Sequence, residues 1–215
     1  MLVGERMSRP GITIQEDMPI LDALDMMKTK NVRRFPVLNK KGNLVGIVSK
    51  GDLLNASPSD ASSLSVWEMN YLLSKVSVRD VMSKKVVTVS EKTPIEEAAY
   101  VMSTNKIGGL PVVTGDKVIG IITETDLFRI FLEMMGAQEE GLRVTALVPE
   151  KVGELASITQ AITAIEGNIT ALGTFAGDNV ENRILTFKVT GVSEAQLRVA
   201  LKPHVLEVVD IQNCC

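Results

Sequence analysis

Imidazole and thiol groups are nearly absent from this chain. His204 is the one histidine, and Cys214 and Cys215, adjacent at the C-terminal end, are the only cysteines. Tetrahedral zinc takes three or four nitrogen and sulfur ligands at suitable spacings, and none can be assembled. A Ser-His-Asp or Cys-His centre would have to use His204, which follows Pro203 and reads as a surface or loop residue. Basic clusters are no longer than pairs such as Arg33-Arg34 and Lys84-Lys85, within 23 Lys and Arg against 26 Asp and Glu. A nucleic-acid binder usually carries a basic stripe that neutralises phosphates, so this balance argues against that class. No run of about 18 apolar residues occurs, and no membrane span is expected. Residues 1–10 lack a charged region followed by an apolar stretch and a small-residue cleavage site, so a cytoplasmic protein is expected.

What the chain does have is a repeat. Its 215 residues are 45% hydrophobic, enough for one large core or two small ones. Met7-Ser8 recurs as Met82-Ser83, Thr13 as Thr88, Pro19-Ile20 as Pro94-Ile95, Met27 as Met102 and Pro36-Val37 as Pro111-Val112. All share a spacing of 75 residues. After a one-residue deletion, Gly46-Ile47 matches Gly120-Ile121 and Asp52-Leu53 matches Asp126-Leu127.

Each copy reads as strand, helix, strand, strand, helix. Ile12-Thr13-Ile14 and Val86 to Val89 are β-branched runs, followed by Pro19 and Pro94 at helix starts. Ile20, Ala23, Leu24 and Met27 share a helical face, and the methionines read as core filler. Hairpins follow, and a short helix closes each copy from Lys50 or Glu124. Between the copies, Leu64 to Leu73 reads as an amphipathic helix carrying Trp67 and Tyr71, either a dimer contact or a strap across the repeats.

The chemistry concentrates in Gly46-Ile47-Val48-Ser49-Lys50-Gly51-Asp52 and Gly120-Ile121-Ile122-Thr123-Glu124-Thr125-Asp126. A hydroxyl, two spacers and an aspartate stand where a strand hands over to a helix. One reading is a capping box, with hydroxyl and carboxylate satisfying orphan amides. The other is a ribose diol held by the carboxylate, with phosphate on the hydroxyl and helix amides. Both can hold, in the empty and bound states.

Two such copies, each with a middle-strand Pro-Val, resemble a tandem pair of CBS domains over about residues 1–135. The resemblance implies a regulatory module binding adenosine nucleotides or related adenosyl ligands in two clefts. By match, Asp52 and Asp126 would hold ribose, with Ser49 and Thr123 near ribose or phosphate. Ile12-Thr13 and Val87-Thr88, with Pro36 and Gly109-Leu110-Pro111, would frame adenine. The copies differ where Arg33-Arg34 faces Gly108-Gly109: either the arginines meet phosphate and the glycines leave room for adenine, or the arginines are solvated and the glycines relax a strand edge.

After a hinge at 136–142, residues 143–213 read as β-α-β-β-α-β, the ferredoxin-like split unit, giving an α+β protein. The segment Val148-Pro149-Glu150-Lys151-Val152-Gly153-Glu154-Leu155 resembles the first loop of ACT domains, with Val152 in place of a common proline. That resemblance implies a second ligand, an amino acid or small metabolite, near Glu150, Val152, Gly153 and Asn168, the last expected to face the loop. The domain order expected is 1–54, linker 55–77, 78–135, hinge 136–142 and 143–213. A CBS pair followed by an ACT domain resembles the AcuB-like (acetoin-utilisation protein B) family. No metal site, nucleophile-base pair or phosphate loop is left for catalysis. The implied reading is a non-catalytic sensor, a homodimer acting on an unknown regulated protein, set against a scaffold with vestigial pockets.

Overall fold

The computed structural model describes residues 1–56, 71, 73 and 75–214. The expected helix at Leu64–Leu73, with Trp67, lies largely outside them; Tyr71 is exposed, with Lys75 Nζ 4.3 Å from its ring centre. The chain divides into two compact units, Met1–Leu127 and Phe128–Cys215. The division falls inside a helix, before the hinge expected at 136–142.

In the first unit, α1 (Val3–Arg6) precedes β1 (Ile14–Gln15), α2 (Ile20–Thr29), β2 (Arg34–Leu38), β3 (Leu44–Ser49) and α3 (Lys50–Asn55). The second copy repeats this as α4 (Val78–Val81), β4 (Val89–Ser90), α5 (Ile95–Asn105), β5 (Gly109–Thr114), β6 (Lys117–Thr123) and α6 (Glu124–Met134). Both sheets have three strands, with β1 parallel to β2 and β2 antiparallel to β3, and likewise β4, β5 and β6. Even the left-handed residues after α2 and α5 correspond, Asn31 with φ 52° and Lys106 with φ 54°.

The lead-ins are exchanged. Although Met1 to Pro10 precede the first copy, the Val3 and Gly4 amides donate to the Thr93 and Glu91 carbonyls, and Ser8 bridges Ile121 of β6. Conversely, Ser83 bridges Ile47 of β3, and Val78 lies in the first copy's core with Ile20, Met27 and Phe35. Residues 1–10, expected within the first copy, thus pack on the second copy's sheet. Val3 is fully buried, which contributes about 1.5–3 kcal/mol for a valine side chain and fixes the exchange. The glycines of the repeated motif permit it. A β-carbon on Gly46 would stand 2.3 Å from Met82 Sδ, and one on Gly120 would stand 2.6 Å from Met7 Sδ.

The outer strands are shorter than their β-branched runs suggest. Ile12-Thr13 and Val87-Thr88 lie outside the ladders, whose first pairs are Ile14 with Val37 and Val89 with Val112. Prolines explain this. The Ile47 amide and carbonyl both bond Ser83, so they point away from β2 and Pro36–Ile47 is a non-hydrogen-bonded pair. The nitrogen of Pro36 then faces the side of Thr13 and has no proton to offer. Pro111, opposite Ile121, does the same beside Thr88.

The second unit is one four-stranded antiparallel sheet: β7 (Gly141–Pro149), β8 (Asn168–Ala176), β9 (Asn182–Thr190) and β10 (Glu207–Cys214), ordered β10-β7-β9-β8. Helices α7 (Glu154–Ala164) and α8 (Glu194–Leu201) complete the split β-α-β-β-α-β order. Its core joins Val144, Ala146 and Val148 of β7 to Leu185, Phe187 and Val189 of β9, with Ile158, Ile162, Leu197 and Leu201 from the helices.

Candidate functional site

The first repeated motif closes as a capping box, and the second makes the matching bonds to its carboxylate. The Ser49 amide and Oγ donate to Asp52 Oδ2, each at 2.7 Å, and the Asp52 amide returns a bond to Ser49 Oγ at 3.2 Å. The Thr123 amide and Oγ1 donate to Asp126 Oδ2 at 2.9 and 2.6 Å. Ser77 and Asp80 make the same bonds, at 2.9 and 2.7 Å, at the start of the four-residue α4. The pattern is thus a general cap, and position separates the two candidates from the third. A carboxylate offers about four acceptor sites on two oxygens, so a cap through Oδ2 does not use every site of Asp52.

Position follows from register. Arg34 is the cross-strand partner of Ser49, and Gly109 that of Thr123. Pro36, Gly109, Leu110 and Pro111 are buried in their strands, Ile12 and Thr13 are half-buried, and Val87 and Thr88 are exposed. Thr13 adjoins Pro36 and Thr88 adjoins Pro111, one register step before each parallel ladder. Each copy therefore brings together an unpaired strand edge, a middle-strand proline and a hydroxyl-carboxylate cap.

The two arginines part company. Arg33 is exposed. Arg34 reaches the second copy, with Nη2 2.5 Å from where a β-carbon on Gly108 would sit and Nη1 2.7 Å from the corresponding point on Gly109. The open backbone expected there for an adenine is instead covered by a guanidinium, which lies so close because neither glycine carries a side chain. Glu124 Oε2 converges on the same Gly108 position, at 2.6 Å. Burial lowers the Arg34 pKa and Arg33 lowers it further, while Glu124 and Asp52 pull it back up. Glu124 is absent from the sequence-derived candidates. Its signal is a reversal of charge, since Lys50 holds the matching position in the first copy.

In the second unit, Glu150 pairs with Arg183 across the β7–β9 ladder, Val152 is fully exposed, and Gly153 takes φ 87° with open space around it. Asn168 does not face this loop. It pairs with Thr190, beside the Leu142–Val189 end of the sheet, whereas Pro149 pairs with Asn182 at the other end. At about 3.4 Å per residue, Leu142 and Pro149 are roughly 24 Å apart. The eleven-residue α7 carries the chain back along β7, and that separates them. The loop instead contributes Glu154, only 5% exposed, whose carboxylate oxygens accept no hydrogen bond among the described residues. Lys151 Nζ, 3.0 Å from Oε2, supplies its compensating charge. Among the described residues no group of three or more His, Cys, Asp or Glu could hold a metal ion, and no helix is long and apolar enough to cross a membrane.

Two β-α-β-β-α copies that end in matching hydroxyl-carboxylate caps and exchange their lead-ins define a paired-repeat module. The CBS domain model matches residues 3–59 and 78–133, more than half of the chain, which therefore belongs to the CBS domain family. Protein MJ1426 of Methanocaldococcus jannaschii is 32% identical over 155 residues, covering 61% of this chain and 92% of that protein. The L-aspartate semialdehyde sulfurtransferase of the same organism is 29% identical over 131 residues, covering 60% of this chain but only 23% of the enzyme. Among solved structures, the CBS domain pair of protein MJ0100, in complex with 5′-methylthioadenosine and S-adenosyl-L-methionine, aligns with TM-score 0.52 and 28% identity. It covers 65% of this chain and 98% of that one. A putative acetoin utilization protein (AcuB) from Vibrio cholerae aligns with TM-score 0.52 and 30% identity, covering 64% of this chain and 95% of that one.

Proposed function

We propose that this protein is a non-catalytic regulatory sensor that binds an adenosine nucleotide or adenosyl ligand in the clefts of its CBS pair. The observation that carries this reading is the placement of Asp52 and Asp126 at register-equivalent strand ends, beside half-open edges at Thr13 and Thr88. Each aspartate would grip a ribose diol while the prolines keep the adjoining strand edge free for adenine. Arg34, reaching both Gly108 and the region of Asp52, would serve the anionic or carboxylated end of the ligand. The adenosyl ligands of the MJ0100 pair support this assignment.

The second unit would be an ACT domain, a reading that its strand order and the left-handed Gly153 support, and Glu150, Val152, Gly153 and Glu154 would form its ligand loop. Homodimerisation would be carried by exposed apolar residues such as Phe128 and Phe131 on α6. Occupancy acts on an unidentified regulated protein through a population shift, which requires unequal affinity for two states. Calorimetry with 5′-methylthioadenosine, S-adenosylmethionine, AMP, ADP and ATP tests the proposal on the wild type, Asp52→Ala and Asp126→Ala. Binding of at least one ligand, weakened by an aspartate substitution, is expected. A wild type that binds none of them is a scaffold with vestigial pockets, and the sensor reading fails.

A further inference from the structure

The second unit holds a buried cation, Lys188, that forms no ion pair among the described residues. Along β9, Leu185, Phe187 and Val189 enter the core beneath α7 and α8, so Thr186 and Lys188 lie on the opposite sheet face. Lys188 is nonetheless only 4% exposed. Its ammonium donates to the Gly136 and Glu139 carbonyls, each at 2.6 Å, in the turn that follows α6. An ammonium carries three protons, and two are placed. The carbonyls accept them, yet supply no charge to balance an ion withdrawn from water.

The Glu139 carboxylate lies in the same turn, its Oε2 3.6 Å from a β-carbon position on Gly136, and it makes no ion pair with Lys188. Arg143 is the cross-strand partner of Lys188 and brings a second positive charge to the same face. Asp210 stands 3.8 Å from the Arg143 guanidinium and offsets one of the two. Beside them opens a cavity of about 520 Å³, lined by Lys188 and Arg143 and by Phe131, Met135 and Ala171. That volume falls in the ordinary range for small-molecule sites, which combine mostly apolar walls with a few fixed polar groups. Two cations on a largely apolar cavity, one of them without an ion-pair partner, fit an anion with an apolar body.

We propose that this cavity binds a small monocarboxylate bearing a branched or aromatic body, its carboxylate on Lys188 and Arg143. The site lies on the sheet face opposite α7 and α8 and is separate from both the CBS clefts and the Glu150–Glu154 loop.

The test uses the full chain and three acids, phenylacetate, 4-methylpentanoate and acetate, each paired with its primary amide. Calorimetry should show the two larger acids binding, acetate more weakly, and each amide weaker by about tenfold or more, the scale of one charge-assisted hydrogen bond. In a methyl-labelled sample, the Met135 methyl resonance, assigned with Met135→Leu, should shift on titration with phenylacetate. Lys188→Met should abolish the preference for acid over amide. Equal affinity of acid and amide, no binding of either larger acid at millimolar concentration, or binding that leaves Met135 unmoved would each overturn the proposal. If Lys188→Met does not fold, the acid-to-amide ratio and the Met135 shift in the wild type decide the question by themselves.

Discussion

The guanidinium of Arg34 occupies the space that a side chain on Gly108 would need, with Nη2 2.5 Å from the β-carbon position. One repeat thus supplies a cation to the other, and the other accommodates it by having no side chain there. Arg34→Met should weaken ATP binding by about tenfold, the scale of a lost charge-assisted contact, and leave 5′-methylthioadenosine, which has no phosphate, nearly unaffected. Calorimetry with the two ligands checks this; equal losses for both would mean that Arg34 only shapes the cleft.

The three hydroxyl-carboxylate caps provide an internal control. Asp52→Ala and Asp126→Ala should each cost about 0.5–2 kcal/mol of stability through the lost cap and also reduce affinity for an adenosyl ligand. Asp80→Ala removes an equivalent cap on α4 and should leave that affinity unchanged. Thermal melts and calorimetry on the same three variants separate capping from binding. An Asp80→Ala that lost binding as Asp126→Ala does would assign the effect to the fold.

Much of the first unit is legible in the sequence because the 75-residue spacing makes each copy the other's check. Thr123 and Asp126 gain weight from Ser49 and Asp52, and the register reproduces the correspondence pair by pair. The same identity conceals the exchange of lead-ins. Met7-Ser8 and Met82-Ser83 are alike, so comparing the repeats says nothing about which copy each completes. Asn168 is misplaced for a different reason: a loop and a strand start that look adjacent in sequence order are held at opposite sheet ends by the length of α7. Lys188 hides in ordinary alternation, because Thr186 and Lys188 read as a solvated strand face until the turn after α6 takes up the Lys188 ammonium.

The repeat glycines should differ in tolerance. The three atoms nearest a β-carbon on Gly46 all belong to Met82, a flexible side chain, whereas one of those nearest on Gly120 is the Ser8 carbonyl oxygen at 2.8 Å. Gly120→Ala should therefore cost about 1–3 kcal/mol by overpacking, and Gly46→Ala less. Denaturant melts check the order, and the reverse order would contradict the account.

Val3 and Val78 are each fully buried and precede the opposite copy's sheet in sequence. Val3→Ala should lose about 1.5–3 kcal/mol and accelerate hydrogen exchange in β5 and β6. Val78→Ala should do the same to β2 and β3. Loosening of β2 and β3 by Val3→Ala would refute the exchange.

The Ser77 hydroxyl and amide hold the Asp80 carboxyl below its ordinary range. A carboxylate with a depressed folded value adds stability above the ordinary carboxylate range, and that stability is lost as pH falls through the folded value. Acid unfolding of the wild type should therefore steepen below the usual aspartate range, and Asp80→Asn should flatten that part of the curve. Melting temperature against pH for the two proteins gives the comparison, and superimposable curves would show that the cap contributes nothing measurable.

A module in which each half is finished by the other half's leading segment cannot be cut into working pieces at its middle. A single repeat carries a sheet edge shaped for a lead-in that its own chain attaches elsewhere, and it carries a lead-in with no sheet to receive it. Two excised repeats can satisfy one another only by trading those segments, as in a domain-swapped dimer. Duplication followed by joining turns that intermolecular trade into an intramolecular one, so the heritable unit here is the pair.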